Sequence, residues 1–424
     1  MVNYNLISII VIAFVVIVVG VIIQAPTSPA ETVSPSGKVV ATYGEGKLYQ
    51  YGPLYLVELN GDYREMGRQY GALRNDTLHD IYNKMSSDPN FFNILNSSGI
   101  QVNNYEELNS ILKQTYASYP KYDEIIMGIS ETTGLGNNTY LTCSIIKELY
   151  YMESNQSSNS QCSFAAAWGP YTTDSSLVAG RNYDLSTNMA NYTEIVVYNP
   201  NDGSIPVANL GYTGSIYFTS GVNSDGLFIE LNSGTTPDQW LKIRDIYRNT
   251  SRPTPNNSAD TNLELFQLLQ NSSNMNELET NFNNASTSVG TIINAADKEQ
   301  AYSFEWMPYT YRVRPPQHNG FMAATNLYID PAWGLFHPVQ GSLFDAGKSI
   351  VRIDNLLNLG QKNKGKITPE IMMQMMSTPI PNGGPLFPNY TSYEMVVVPS
   401  DLKVWFKVPQ YYNWTGVDLK KHFR

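Results

Sequence analysis

The chain of 424 residues has two cysteines, Cys143 and Cys162. Cys162 opens the run Cys162-Ser-Phe-Ala-Ala-Ala167 and is followed, after Leu177-Val-Ala-Gly180, by Arg181-Asn-Tyr-Asp184. A thiol, a guanidinium and a carboxylate so close in sequence suit a cysteine nucleophile. Such a thiol acts only as its thiolate and needs a neighbouring base or cation to become one. The four histidines, His79, His318, His337 and His422, are scattered and none lies near Cys162 in sequence. A cysteine that becomes N-terminal needs no histidine, because an α-amine with a pKa of about 7.7 to 8.0 can take the thiol proton at neutral pH. The competing readings of Cys162 are a buried structural thiol or a disulfide with Cys143. Cys143, in Thr142-Cys-Ser-Ile-Ile146, reads as core packing on an apolar helix face. Arg181 and Asp184, spaced i and i+3, follow a short Leu-Val-Ala-Gly strand, where a turn would aim both at the thiol; a surface ion pair of little energetic worth is the alternative.

The elements that would position these groups divide at residue 161. Before it, a strand over Leu54 to Leu59 leads into Gly61, Gly67 and Gly71, whose spacing suggests close packing of a turn and a helix. Helices are expected at Tyr105 to Tyr119, Tyr122 to Thr133 (ending at Gly134) and Tyr140 to Met152. Ser154 to Ser160 is a polar link. After Cys162 come β-branched and aromatic runs at Glu194 to Tyr198, Ile205 to Leu210, Leu227 to Asn232, Val289 to Ala295, Ala301 to Trp306, Gly320 to Thr325, Tyr393 to Val398 and Lys403 to Val408. Helical patterns fall at Leu263 to Leu269, Met275 to Asn281, Ser349 to Leu357 and Pro369 to Met376. Strict β-α alternation is absent, which indicates an α+β fold. The expected segments are 1–23, 24–38, a mostly helical 39–161 and a catalytic 162–424.

Charged residues are 15% of the chain and its net charge is −10; no basic stretch could track a phosphate backbone, which argues against nucleic acid. Leu6 to Ile23 is an apolar run broken only by Ser8 and Gly20, near the length that spans a bilayer. Lacking a basic n-region, it reads as a retained anchor, with cleavage near Ser28-Pro-Ala30 as the alternative. Gln24 to Ser36 would be an extended linker. Asn-x-Ser/Thr sequons at Asn75, Asn96, Asn137, Asn155, Asn191, Asn249, Asn256, Asn271, Asn284, Asn389 and Asn413 suit a glycoprotein on the extracytoplasmic side, or are chance in an Asn-rich chain. No CxxC or HxxxH spacing is present, so neither a metal nor another cofactor is expected.

Cys162-Ser-Phe-Ala-Ala with Gly180-Arg-Asn-Tyr-Asp184 resembles the cysteine N-terminal-nucleophile hydrolases: choloylglycine hydrolase, penicillin V acylase, N-acylethanolamine acid amidase and acyl-coenzyme A:6-aminopenicillanic acid acyltransferase. Gly61…Gly67…Gly71 and Tyr122-Asp-Glu-Ile-Ile-Met-Gly128-Ile-Ser-Glu-Thr-Thr-Gly134 look like the pro-segment of the acyltransferase and amidase branch, and Ala323-Ala-Thr-Asn326 is similar to the family's later Thr-Asn motif. The resemblance implies a four-layer αββα sandwich and self-cleavage between Gln161 and Cys162, the two chains remaining associated. It implies turnover of a linear amide in a small N-acyl substrate with a hydrophobic acyl group, such as a bile-salt conjugate, an N-acyl amine or an acyl amino acid. Acyl transfer to an amine, and a surface-anchored binding or envelope protein without turnover, are the alternatives.

By the same resemblance Asp184 would hold the α-amine and Arg181 would contact the thiol and lower its pKa, with Asn182 beside them. Charge developing on a carbonyl oxygen requires fixed donors; Asn326 is the leading candidate, then Asn232 at the end of Phe228-Ile-Glu-Leu-Asn232, with Glu230 as an alternative from that strand. Arg352, in Lys348-Ser-Ile-Val-Arg352, approximates the family's late arginine, although the surrounding Ser-Arg pattern is not reproduced.

Overall fold

The computed structural model describes residues 37–97, 100–153, 161–185, 187–234, 260–308, 310–333 and 348–424. Its strands are β1 (Lys38–Tyr43), β2 (Gly46–Tyr51), β3 (Leu54–Gly61), β4 (Gln161–Ala167), β5 (Val178–Asp184), β6 (Thr193–Pro200), β7 (Val207–Tyr212), β8 (Ser220–Asn223), β9 (Phe228–Ser233), β10 (Thr291–Ala296), β11 (Ala301–Met307), β12 (Thr310–Arg314), β13 (Phe321–Ala324), β14 (Thr391–Val398), β15 (Lys403–Val408) and β16 (Tyr412–Asp418). They form a ten-stranded sheet in the order β1-β2-β3-β6-β7-β8-β9-β10-β11-β12 and a six-stranded sheet in the order β13-β4-β5-β14-β15-β16. Pairing is antiparallel except where β3 runs parallel to β6. The segment before Cys162 therefore supplies three strands to a sheet that the segment after it completes.

Every residue of β4, β5 and β14 is buried. Strands covered on both faces need no polar alternation, so Cys-Ser-Phe-Ala-Ala-Ala can be a strand without looking like one. Helices from Ser349–Lys362 and Pro369–Met376 pack on one side of these strands, and β9 of the larger sheet approaches β4 from the other.

In the first part of the chain, α1 (Tyr63–Leu73) is capped by Asp62, whose side chain accepts from the N–H of Glu65. Gly67 and Gly71 lie inside α1. They meet the helix at Pro120–Thr133, which ends at Gly134 in the left-handed region, φ 71°. A Cβ on Gly67 would lie 2.2 Å from the carbonyl oxygen of Ile125, and one on Gly128 2.1 Å from that of Arg64. The close packing suggested by these glycines is between two helices at backbone contact, with Gly67 and Gly71 inside α1.

The helix expected at Tyr140 to Met152 is divided into Asn138–Thr142 and Ile146–Glu153. Ser144 causes the break: its hydroxyl donates to the Leu141 carbonyl and accepts from the Ile146 N–H, replacing helical bonds with local ones. Cys143 is buried in this break, and neither cysteine is in a disulfide.

Among the described residues no helix is long and apolar enough to cross a membrane. The Leu6 to Ile23 run, the Gln24 to Ser36 linker, the Ser154 to Ser160 link, His337 and the sequons at Asn155, Asn249 and Asn256 lie outside the described residues. None of the sequon asparagines within them is buried.

Candidate active site

Cys162 is the second residue of β4 and stands opposite Tyr183 of β5. Side chains of a strand alternate in face, so Arg181 and Tyr183 share the face of the Cys162 thiol, while Gln161, Asn182 and Asp184 do not. This corrects the expectation that a turn aims both Arg181 and Asp184 at the sulfur: both are within the strand, and a spacing of three places them on opposite faces.

Arg181 Nη2 lies 3.5 Å from Cys162 Sγ. The guanidinium is completely buried and is held on three further sides. It donates to the Thr219 carbonyl and the Ser220 hydroxyl, to the Leu231 carbonyl at 2.6 Å, and its Nε is 3.0 Å from Glu230 Oε2. Asn294 donates to the other Glu230 oxygen. Burial pushes the Cys162 thiol up to about 11; Arg181 opposes this, whereas Glu230 and Asp184 add to it. In the uncut chain the thiol is therefore protonated at neutral pH and requires a base.

The backbone of Cys162 is fixed from the opposite side. Its N–H donates to Asn326 Oδ1 at 2.9 Å, and its carbonyl accepts from Arg352 Nη1 at 2.7 Å. Arg352 Nη2 donates to Asn326 Oδ1 at 3.0 Å and to Gln161 Oε1 at 2.8 Å, and Nη1 is 3.4 Å from Asp184 Oδ2. Arg352 thus connects Gln161, the Cys162 carbonyl, Asp184 and Asn326. Asp184 accepts a hydrogen bond from Thr391 at 2.5 Å, and burial raises its pKa to about 6. In the uncut chain the Cys162 peptide N–H is held by Asn326, while Asp184 is paired with Arg352 and Thr391.

Asn232 and Asn326 form a reciprocal clamp across the two sheets. Asn232 Nδ2 donates to the Thr325 carbonyl at 3.2 Å, and Asn326 Nδ2 donates to the Ser233 carbonyl at 3.0 Å. Both amide donors expected to meet a developing oxyanion are bonded to backbone in this state. Asn182 donates to the Met376 carbonyl at 3.0 Å, toward the helical layer, and is not brought to the thiol.

Beside Cys162 is a cavity of about 360 Å³, walled by Ile145, Leu149, Leu185, Leu231 and Val289, with Glu148 and Tyr183 also facing it. That volume is within the range of small-molecule sites. Ile145, Glu148 and Leu149 come from the segment before Cys162, at the start of the helix that Ser144 sets off. Sequence reasoning passed over Glu148, Tyr183 and Thr391. The signal for Glu148 was Lys147-Glu148 interrupting an otherwise apolar helical run. No histidine lines this cavity among the described residues. His79 bonds the Thr133 carbonyl, His318 stacks on Tyr171 and His422 meets Glu58 and Tyr51. No group of three or more His, Cys, Asp or Glu among the described residues could hold a metal ion.

No protein-family model and no curated protein matches the chain. Solved structures do. A Caenorhabditis elegans N-acylethanolamine-hydrolyzing acid amidase ortholog is 17% identical, with a TM-score of 0.42, covering 61% of this chain and all of its own. A variant of conjugated bile acid hydrolase from Clostridium perfringens is 13% identical with a TM-score of 0.42, covering 61% of this chain and 93% of its own. Penicillin V acylase from Agrobacterium tumefaciens is 13% identical with a TM-score of 0.41, covering 61% and 87%.

Proposed function

We propose that the chain cleaves itself before Cys162 and then hydrolyses a linear amide bond of an N-acyl substrate through a Cys162 thioester. The observation that carries this reading is the disposition of one residue: Cys162 has its sulfur beside a buried arginine and a cavity, and its backbone nitrogen on a side-chain acceptor. That nitrogen becomes a base only when its acyl bond is broken.

In the first step Sγ adds to the Gln161 carbonyl carbon. The Gln161–Cys162 C–N bond breaks, the thiol proton goes to the departing nitrogen, and Gln161 is left as a thioester. Water hydrolyses the thioester, giving the Gln161 carboxylate, a free thiol and an α-amine. Asn326 and Arg352 hold the nitrogen and carbonyl of Cys162 before the bond breaks, so the new terminus need not be repositioned. In turnover the amine takes the Sγ proton, sulfur attacks the substrate carbonyl and the protonated amine supplies the proton to the leaving nitrogen. Water then releases the acid. Arg181, fixed on four sides, stabilises the thiolate without reorganising.

The apolar cavity walls support a hydrophobic acyl group. The two sheets with helices packed outside the smaller one support the αββα arrangement. The Leu6 to Ile23 run would tether such an enzyme at a membrane, where amphiphilic N-acyl substrates collect. The direct test mixes processed protein with an N-acyl p-nitroanilide under acid quench. Release of one equivalent of p-nitroaniline together with an acyl adduct on Cys162 is expected. Processed protein that forms no adduct with any acyl chain length would contradict the reading.

A further inference from the structure

Apart from the Cys162 thiol and the Tyr183 phenol, the only ionisable group among the described residues lining the thiol cavity is Glu148. It is 2% exposed. The Tyr183 hydroxyl donates to Oε2, and the Tyr217 hydroxyl to Oε1 at 2.6 Å. Tyr183 stands directly opposite Cys162 on the neighbouring strand, and its phenol links that position to the carboxylate. The neighbouring Lys147 makes no direct ion pair with it, its Nζ lying over the Tyr217 ring, 4.5 Å from the centroid; burial raises the Glu148 pKa, and the charges of Lys147 and Arg181 oppose that rise. A carboxylate offers about four acceptor positions; the tyrosines occupy two. Burying such a group in an apolar wall is costly unless its hydrogen bonds are satisfied, and a ligand that brings a donor removes that cost.

Resting on the amidase reading, we propose that Glu148 determines acyl-group specificity, selecting acyl chains that carry a hydroxyl or ammonium donor near the scissile carbonyl and rejecting those that carry a second carboxylate. The residue belongs to the segment before the cleavage point, so this segment stays in the working enzyme as part of its binding wall.

The test uses processed full chain and octanoyl p-nitroanilide, compared with its monohydroxy, monoamino and terminal-carboxylate analogues in a positional series. For the wild type, kcat/KM is expected to be about 10-fold or more higher for the best hydroxy and amino isomers than for plain octanoyl, the size of one hydrogen bond in discrimination. Glu148→Gln keeps an acceptor and should retain the hydroxyl preference while losing the ammonium preference. Glu148→Leu should lose both and improve the plain chain. A purely structural role would lower all substrates in proportion. Equal kcat/KM across the series in the wild type, or proportional losses in both variants, would overturn the inference and leave the amidase reading intact. Absence of turnover with every substrate by processed protein would overturn both.

Discussion

The backbone N–H of Cys162 donates to the side-chain oxygen of Asn326 at 2.9 Å across 164 residues of chain. Strand backbone usually bonds to strand backbone. Here an amide at the start of β4 is instead aimed at a side chain that Arg352 also holds. If the nitrogen later becomes an amine, its acceptor is already in place.

Replacing Asn326 with alanine should therefore slow both processing and turnover. A hydrogen bond to a charged group is worth roughly 1.5–3 kcal/mol, so rates of about 10- to 100-fold below wild type are expected. Time courses of chain cleavage and of p-nitroaniline release would measure the two effects separately.

Arg181 and Glu230 are a fully buried pair, and removing one partner of such a pair leaves an uncompensated charge. Arg181→Met should destabilise the protein by about 3–5 kcal/mol, whereas Arg181→Met with Glu230→Met should recover most of that loss. Thermal unfolding of both variants in a Cys162→Ala background, where no cleavage intervenes, gives the comparison. The arginine also lowers the thiol pKa, so with Cys162 present neither substitution should allow the acyl-enzyme to form at the wild-type rate.

Much of the candidate site was legible in the sequence, Cys162 by its residue type and the others mainly through the resemblance of their motifs. Cys162, Arg181, Asp184, Asn232, Glu230, Asn326 and Arg352 do meet in space, though they come from three strands, a strand-following loop and a helix. Their roles were less legible, because roles depend on strand face. The i and i+3 spacing of Arg181 and Asp184 looked like a turn, yet period-two alternation separates them. Glu148 was passed over because its place in the cavity depends on a helix break made by one serine. In the fold, β14 and β15 announced themselves by β-branched and aromatic residues. β4 did not, since its small side chains are what a strand covered on both faces accommodates.

Acidity should stabilise the uncut chain. Burial raises Asp184 to about 6 and Glu230 to about 7, both above the values of an unfolded chain, which are about 3.9 and 4.3. Between those limits the folded state binds more protons than the unfolded state, and stability falls as pH rises. This contribution is fully present below about pH 4, where both groups are protonated in either state, and is lost by about pH 7. The melting temperature of Cys162→Ala should therefore be higher at pH 5 than at pH 7.5. Replacing Glu230 with glutamine should flatten that dependence, most strongly between pH 5 and 7.

The helix crossing near the N-terminus gives a test that leaves the site chemistry unchanged. A methyl group at Gly67 would lie 2.2 Å from the Ile125 carbonyl oxygen, so Gly67→Ala must push two helices apart. Overpacking of this kind costs roughly 1–3 kcal/mol. Both helices precede Cys162 but belong to the segment that pairs with β6, so the variant should melt earlier and yield a smaller cleaved fraction. Thermal melts and intact mass would record the two effects.

Intact mass of the purified protein beside Cys162→Ala reads whether Cys162 becomes the N-terminus of its own chain. Two associated fragments are expected in the wild type, the larger running from Cys162 to Arg424, and a single uncut chain in the variant. A single uncut chain in both would contradict that expectation, for Cys162 would then never acquire the amine that serves as its base.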